Sequence, residues 1–406
     1  MRKVFIYSLL LIVGLVVSQF LGGRGAEPIR LLTMLALSFI MIHVGYAFEI
    51  DKSRTRDYAW DAVVAFTAAS LPWLFCAAYF IFVMAPPQDV WTWPAWRGAL
   101  LEGLFAAPTS AGVLFSMLAA AGLGATWVFA KARLLAIFDD LSTILLLIPF
   151  KAMFVGPRWQ LAVIAVALVV LLWLAWTYLN RVPLPVTWPW TFAYAGLIVA
   201  MSEGVYLGSK ALDPLVPVHI EVLLPAFALG CMLQTPAGQD PHRDDMLEGV
   251  EVGPETPNEQ RVSTIVSACF MVLVGLSMPL IRFEGGVGWG TIAMHVLLVT
   301  LLSNVGKMFP LLCYRRQATL MERLALSIGM WPRGEVGAGV LVIALSYSLG
   351  GPAITVAVLS LALNLLCTGL FILIVKRLLA ARPAPAHDVI MPVPVTMPPK
   401  EAERVE

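Results

Sequence analysis

Charge is scarce in this chain. Only 13% of its 406 residues are Asp, Glu, Lys or Arg, whereas soluble domains average about 25%. Hydrophobic residues make up 59% of the chain and the formal net charge is +1, so no basic surface indicates nucleic-acid binding. The composition predicts an all-α protein that crosses the membrane many times.

Three other features are missing. The five cysteines are scattered through apolar segments, with neither metal-ligand spacing nor a disulfide framework. We find no phosphate-binding loop and no soluble domain to hold one in this sequence, so we do not expect an ATP-driven pump. No convincing cleavage site follows the apolar stretch 3–21, so we interpret it as a membrane helix and not as a cleaved leader. We expect neither an enzymatic activity nor a cofactor.

Long apolar runs dominate what is present. A membrane helix needs about 20 such residues. The stretches that meet this length, numbered as helices 1 to 12, are 3–21, 29–48, 60–84, 98–121, 128–150, 159–179, 189–210, 218–234, 260–281, 289–313, 321–348 and 353–376. The seventh contains Ser202 and Glu203 and is the weakest, so twelve is the expected number of helices and thirteen remains the alternative. An excess of Lys and Arg in the loops on the N-terminal side predicts that both termini lie in the cytoplasm.

Two segments do not read as membrane helices. Residues 235–259 are polar, acidic and rich in Pro and Gly, which is typical of a flexible cytoplasmic loop. Residues 381–406 are rich in Pro, which predicts a disordered tail.

Helices 4 and 11 are both interrupted. Helix 4 contains AAPTSAGVLF, in which Pro108 breaks the hydrogen-bond ladder beside Thr109 and Ser110, and helix 11 contains GMWPRGEVGAGVL with Pro332. Each is the middle helix of a triplet, helices 3–5 and 10–12, and the two triplets run in opposite directions. This arrangement indicates a transporter with inverted repeats, although Pro and Gly are also generally commoner in membrane helices.

Interrupted helices expose partial charges at the bilayer midplane. Arg333 and Glu335 lie beside the second break and can compensate these ends. Unwound carbonyl groups and the hydroxyl groups of Thr109 and Ser110 can ligate a small cation.

Two adjacent carboxylates, Asp139 and Asp140, lie at the centre of helix 5 in LLAIFDDLSTILLLIPF. A charge at this depth costs at least about 2.5 kcal/mol. Adjacent residues point about 100° apart, so one carboxylate can face a partner while the other faces a cavity. An ionised carboxylate binds Na⁺ or Li⁺, and burial beside a like charge favours protonation. The pair therefore predicts a site that holds either a cation or protons.

Lys307 in helix 10 is a candidate partner for this pair. Pairing with Asp139 would let that carboxylate stay ionised at a lower desolvation cost. The alternative is that Lys307 extends to the membrane surface. Glu102, predicted near the outer end of helix 4, and Glu203 are weaker candidates for the same chemistry.

Four motifs together resemble the monovalent cation:proton antiporter superfamily, specifically its bacterial sodium/proton antiporters. They are APTSAGVLFSMLAAAG, FDD, GKMFP and GMWPRGEVGAGVL. The resemblance implies a scaffold or dimerisation domain beside a moving core in which helices 4 and 11 cross. Residues 1–59 and 151–287 would then form the scaffold, and 60–150 and 288–380 the two core repeats.

The resemblance also implies roles for individual residues. Asp140 is similar to the carboxylate that carries the cation and protons, and Asp139 to the one that pairs with Lys307. Relatives with two aspartates are typically electrogenic, and homodimers in the bacterial inner membrane are expected. Some relatives carry an acidic residue in the helix 4 break, where this chain has only Thr109 and Ser110 beside Pro108, so hydroxyl and carbonyl ligands are implied here.

These observations predict exchange of Na⁺ or Li⁺ for protons, with the lipid bilayer as the remaining partner. A sodium-coupled symporter of an organic anion on a related fold is the main alternative. A channel or a non-transporting sensor is the third, and it would pass ions far faster than a carrier or not at all.

Overall fold

The computed structural model describes residues 2–21, 25–46, 55–156, 158–212, 221–234, 257–280, 288–347 and 349–380. The predicted tail 381–406 and nearly all of the predicted loop 235–259 lie outside these residues. The last three residues of that loop are described, and there the prediction is wrong. They belong to a helix that begins at Pro257, because proline is readily accommodated in the first turn of a helix.

Within the described ranges the protein is helical and forms no β-strand. Its α-helices, in chain order, are α1 (Arg2–Leu21), α2 (Ala26–Tyr46), α3 (Thr55–Tyr79), α4 (Trp93–Gly103), α5 (Ala111–Ala120), α6 (Trp127–Val155), α7 (Trp159–Thr177), α8 (Trp188–Leu212), α9 (Leu223–Met232), α10 (Pro257–Leu276), α11 (Trp289–Gly306), α12 (Pro310–Cys313), α13 (Leu320–Gly329), α14 (Glu335–Ser346) and α15 (Pro352–Ala380). Predicted helix 4 corresponds to α4 and α5, helix 5 to α6, helix 10 to α11 and α12, and helix 11 to α13 and α14.

Nine helical segments of the described chain are long and apolar enough to cross a membrane. Helix α6 has the length, but its central aspartates and the flanking Arg133 and Lys151 make it too polar. Helix α9 has only 10 residues, and α13 and α14 are separated by a break. The protein is therefore a multi-pass membrane protein, and the count of twelve helices stays a prediction.

The helices pack in two main groups. Helices α1, α2, α8, α9 and α10 contact one another, as do α3, α6, α11, α13 and α15. Helices α1 and α10 approach closely through Gly14 and Gly275, where an added Cβ on Gly14 would collide with the carbonyl oxygen of Val272. The division into a scaffold and a moving core, with the boundaries given above, stays a prediction.

The first broken helix loses its regular geometry before its proline. Helix α4 ends at Gly103, a 3₁₀ turn covers Leu104–Ala106, and α5 begins at Ala111. Pro108 has no backbone N–H with which to continue the helical hydrogen-bond ladder, although Ala107 before it keeps helical backbone angles.

The second broken helix meets the first at this point. Helix α13 ends at Gly329 and α14 begins at Glu335. The Ser110 N–H donates to the carbonyl oxygen of Pro332 at 2.9 Å, which joins the two breaks directly. The predicted fold, with two broken and crossing helices in inverted repeats, is confirmed.

Local capping fixes where the charged helix α6 starts. Thr126 is its N-cap and accepts a hydrogen bond from the Phe129 N–H at 3.2 Å. From this start the 29-residue helix carries Asp139 and Asp140 at its centre, next to the crossing of the two breaks.

Candidate functional site

Asp139 is enclosed on one side of the crossing and is paired through one of its two carboxylate oxygens, since its Oδ1 atom is buried without a hydrogen-bond partner among the described residues. Its side chain is completely buried, and its Oδ2 atom accepts hydrogen bonds from Lys307 Nζ at 2.6 Å and from the Thr109 N–H at 2.8 Å. Lys307 is also completely buried, and its Nζ donates to the Ala107 carbonyl oxygen at 2.5 Å. The ammonium group therefore does not extend to the surface. It joins α11 to both α6 and the break after α4.

Asp140 has no such partner. Its side chain is 2% exposed, and neither of its carboxylate oxygens has a hydrogen-bond partner among the described residues. Asp139 and Glu335 repel a charge on Asp140, and Lys307 attracts it. Buried polar atoms normally find a partner, so these two oxygens are suited to take a proton or a small cation.

Glu335 is placed on the Asp140 side of the crossing by the first turn of α14. Its Oε2 atom accepts a hydrogen bond from Ser110 Oγ at 2.6 Å, and its Oε1 atom is buried without a partner in the described structure. Gly334 allows this approach, because an added Cβ would lie 2.9 Å from Ser110 Oγ. A carboxylate at a helix N-terminus is also favoured by the helix dipole.

Arg333 lies at the same break and binds carbonyl groups. Its side chain is completely buried. The guanidinium donates to the carbonyl oxygens of Ala106, Ser303 and Trp331 at 3.0, 2.8 and 3.0 Å, and to Asn304 Oδ1 at 2.8 Å. Ala106 and Ser303 stand at helix ends whose carbonyl groups lack helical donors, so Arg333 satisfies negative helix ends in both repeats.

The remaining predicted site residues separate from one another. Thr109 is completely buried, and its Oγ1 atom donates to the Met330 carbonyl oxygen at 3.1 Å while its N–H binds Asp139. Ser110 instead contacts Glu335. Pro332 contributes its carbonyl oxygen to the Ser110 N–H, and Pro108 contributes the break itself. The two neighbouring hydroxyl residues thus serve opposite sides of the crossing.

Sequence reasoning did not single out Glu221, which the structure brings near the site. It lies two residues before α9, within Coulombic range of both Asp140 and Glu335. The signal was present, because an acidic residue inside an apolar run marks a functional candidate, and VHIEVLLP is such a run. Glu102 is buried in the last turn of α4, whereas Glu203 binds Arg30 at 2.7 Å away from the crossing.

A second buried cluster was also missed. Asp61 on α3 accepts hydrogen bonds from Lys131 Nζ at 2.9 and 3.1 Å and from the Tyr314 hydroxyl at 2.6 Å. Lys131 lies in the first turns of α6, and Tyr314 follows α12. The cluster joins α3, α6 and the segment after α12, and its carboxylate is satisfied.

Comparisons with known proteins agree with this architecture. The chain is similar to the sodium proton antiporter MjNhaP1 from Methanocaldococcus jannaschii at pH 8, with a TM-score of 0.56 and 16% sequence identity, over 90% of this chain and 91% of that chain. At this identity the likeness shows the fold alone. A comparison with curated proteins finds no match. The family model described as the transmembrane part of sodium/hydrogen exchangers matches residues 2–378, and the chain therefore belongs to the sodium/hydrogen exchanger family.

Proposed function

We propose that this protein exchanges Na⁺ or Li⁺ for protons across the cytoplasmic membrane by competition at Asp140. The observation that carries the proposal is that both buried Asp140 oxygens lack a hydrogen-bond partner among the described residues, beside an Asp139 carboxylate whose Oδ2 atom is paired with Lys307. One carboxylate is committed to the protein and the other is available to a ligand. Membership of an antiporter family supports the same activity.

The chemistry follows from what Asp140 can hold. A protonated carboxyl group cannot ligate a cation, and a cation on the carboxylate excludes the proton. Either ligand neutralises the charge, whereas the bare carboxylate is costly to enclose away from water. If only a loaded site moves between the two membrane faces, each cation that leaves is exchanged for protons. Glu335 and Ser110 lie where they can add oxygen ligands around a cation.

The crossing provides the moving part of this mechanism. Residues 60–150 and 288–380 would move as one core against a scaffold of residues 1–59 and 151–287, which also forms the homodimer. The contacts of Arg333 and Lys307 tie the two repeats together across the crossing. This supports movement of both repeats as one body.

We further propose that exchange is electrogenic, with two protons for each Na⁺. One net charge moved across 100 mV contributes about 2.3 kcal/mol, so such exchange would use the membrane potential as well as the proton gradient. The orientation with both termini in the cytoplasm follows the distribution of Lys and Arg in the loops.

The test uses the full-length chain in proteoliposomes with an internal pH-sensitive dye. Adding NaCl or LiCl to acid-loaded vesicles should alkalinise the interior, with KCl as the comparison salt. Asp140→Asn should lower the exchange rate by at least about a hundredfold, because an amide can neither release a proton nor pair with a cation. Asp89→Asn, the same change in the loop before α4, should keep the parental rate.

Two results would contradict the proposal. Exchange by Asp140→Asn at the parental rate would show that another group carries the ions. Uptake of an organic anion that needs Na⁺ and leaves the internal pH unchanged would indicate a symporter.

A further inference from the structure

The second half of α6 carries one continuous stripe that starts at the site. Asp140, Ile144, Leu147 and Lys151 stand at positions i, i+4, i+7 and i+11 and therefore share one helix face. Asp140 is buried, whereas the other three side chains are only partly buried. Lys151 lies eleven residues from Asp140, a distance of about 16 Å at 1.5 Å per residue. The stripe thus leads from the buried carboxylate toward the membrane face at which α6 ends.

Glu221 faces this same space from the other group of helices. It is partly exposed and lies within Coulombic range of Asp140, Glu335 and Lys151. A carboxylate that acts on both Asp140 and Lys151 is near the second half of α6, which these two residues bound.

Packing of α9 gives the depth of Glu221 independently. Phe227 and Cys231 of α9 pack in one apolar cluster with Leu134 and Phe138 of α6. Leu134 near the start of α6 is buried against Cys231 at the end of α9, so we infer that the two helices run in opposite directions. Asp140 lies two residues beyond Phe138, and Glu221 lies six residues before Phe227. At about 1.5 Å per residue, Glu221 is therefore roughly one helical turn farther than Asp140 toward the end of α6.

The interior end of this path is built to receive a positive ligand. Both carboxylate oxygens of Asp140 and the Oε1 atom of Glu335 are buried without a hydrogen-bond partner in the described structure. Leaving such atoms unsatisfied is costly. A cation approaching along the stripe would pass Glu221 before it reaches these oxygens.

We propose that Glu221 is a second, shallower station for a monovalent cation or proton, between Asp140 and the outer membrane face, with Lys151 as its competing counter-charge. The inference rests on the proposed function. A carboxylate at this depth divides the desolvation of the ion into two smaller steps. The Lys151 ammonium is attracted to Glu221 when no ion is present. An arriving cation competes with Lys151 for the Glu221 carboxylate.

The test compares the two faces of the membrane with the full-length chain. Right-side-out vesicles present the outer face to added NaCl, and everted vesicles present the cytoplasmic face. The quantity measured is the Na⁺ concentration that gives half the maximal exchange rate. Glu221→Gln should raise this concentration on the order of tenfold in right-side-out vesicles, because one attractive charge is lost. In everted vesicles the same variant should change the half-saturating Na⁺ concentration by less than twofold. The substitution cannot change the equilibrium of the exchange reaction, so the ratio of the maximal rates measured from the two faces changes to compensate.

Further variants keep the result interpretable. Lys151→Gln should shift the outer half-saturation in the opposite direction, because Glu221 then loses its competitor. Glu221→Asp keeps the charge and should stay within about threefold of the parent. Glu203→Gln, a carboxyl change on α8 away from the crossing, should leave both faces unchanged.

The outcomes separate the two proposals. An active antiporter in which Glu221→Gln keeps parental half-saturation on both faces, or shifts both faces equally, overturns the assignment of Glu221 alone. A parental chain without Na⁺-dependent proton movement overturns the proposed function, and this inference with it.

Discussion

The two sides of the helix crossing differ although adjacent residues form them. On the closed side, the completely buried Asp139 accepts hydrogen bonds on its Oδ2 atom from Lys307 and from the Thr109 N–H, and only its Oδ1 atom is without a partner among the described residues. On the open side, Asp140 and Glu335 keep three buried oxygens without a partner in the described structure. A rotation of about 100° between neighbouring residues of α6 separates the two environments. The comparison teaches that two adjacent and identical residues can lie in different environments, one paired with a buried cation and one without a partner among the described residues.

The closed side holds the architecture because its partners come from different elements. Lys307 on α11 reaches Asp139 on α6 and the Ala107 carbonyl oxygen in the helix 4 break. Removing one partner of a buried pair leaves the other charge uncompensated. The free-energy cost of that charge exceeds the stabilisation that the intact pair contributes. The open side has less to lose, since Ser110 binds Glu335 there but Asp140 has no hydrogen-bond partner among the described residues. The predictions below test this asymmetry.

The largest effect is expected for Lys307→Met. The substitution leaves the Asp139 charge buried without its partner, and we expect a loss of about 3–5 kcal/mol in the free energy of unfolding. Thermal unfolding of the purified protein in detergent measures it as a lower melting temperature. The matched control is Lys210→Met on the exposed surface of α8, which should melt with the parent. Equal melting of the two variants would show that the closed side is not structural.

The second prediction compares the same substitution, Asp to Asn, at Asp139 and at Asp140. Asp139→Asn removes the counter-charge of Lys307 and should lower the free energy of unfolding by about 2–4 kcal/mol. Asp140→Asn removes a charge that has no hydrogen-bond partner among the described residues. This variant should change the free energy of unfolding by less than about 1 kcal/mol, and we expect it to lose exchange. Measuring both the melting temperature and the exchange rate of each variant shows whether Asp139 acts mainly on stability and Asp140 mainly on exchange. Asp140→Asn melting as low as Asp139→Asn would contradict it.

A smaller effect is expected for Ser110→Ala on the open side. The variant loses the hydrogen bond from Ser110 Oγ to Glu335, which corresponds to about 1.5 kcal/mol. We also expect the Na⁺ concentration for half-maximal exchange to rise, because an oxygen beside Asp140 is removed. Ser116→Ala on α5, whose hydroxyl makes only a 3.4 Å contact with Ser267 Oγ, is the control. An unchanged Na⁺ dependence in Ser110→Ala would exclude Ser110 from the site.

The smallest effect is expected in the Asp61 cluster, which is satisfied and remote from the crossing. Tyr314→Phe removes one hydrogen bond to Asp61, and Lys131 still pairs with that carboxylate. We expect a loss of about 1 kcal/mol and the parental Na⁺ dependence of exchange. A changed Na⁺ dependence would show that this cluster is part of transport.

Parts of the fold and site were readable because they depend on local chemistry. Pro108 and Pro332 each lack a backbone N–H, so the breaks follow from the sequence alone. The aspartates stand out because charge inside an apolar run is costly. Glu221 was overlooked because its run is short and its relation to Asp140 exists only when α9 packs beside α6. The boundary at Pro257 was misplaced because the polar first turn of α10 has the composition of a loop.

The sequence by itself determined that this chain is a helical membrane protein, with two broken helices and a carboxylate pair at the centre of a third. These features arise from hydrophobicity and from backbone chemistry, which act over a few residues. Only the tertiary structure decided that Asp139 pairs with Lys307, while among the described residues Asp140 has no hydrogen-bond partner and Glu335 keeps one buried oxygen without one. That distinction depends on which helices meet at the crossing and on the direction in which each side chain leaves its helix, and neither is encoded by the composition of α6.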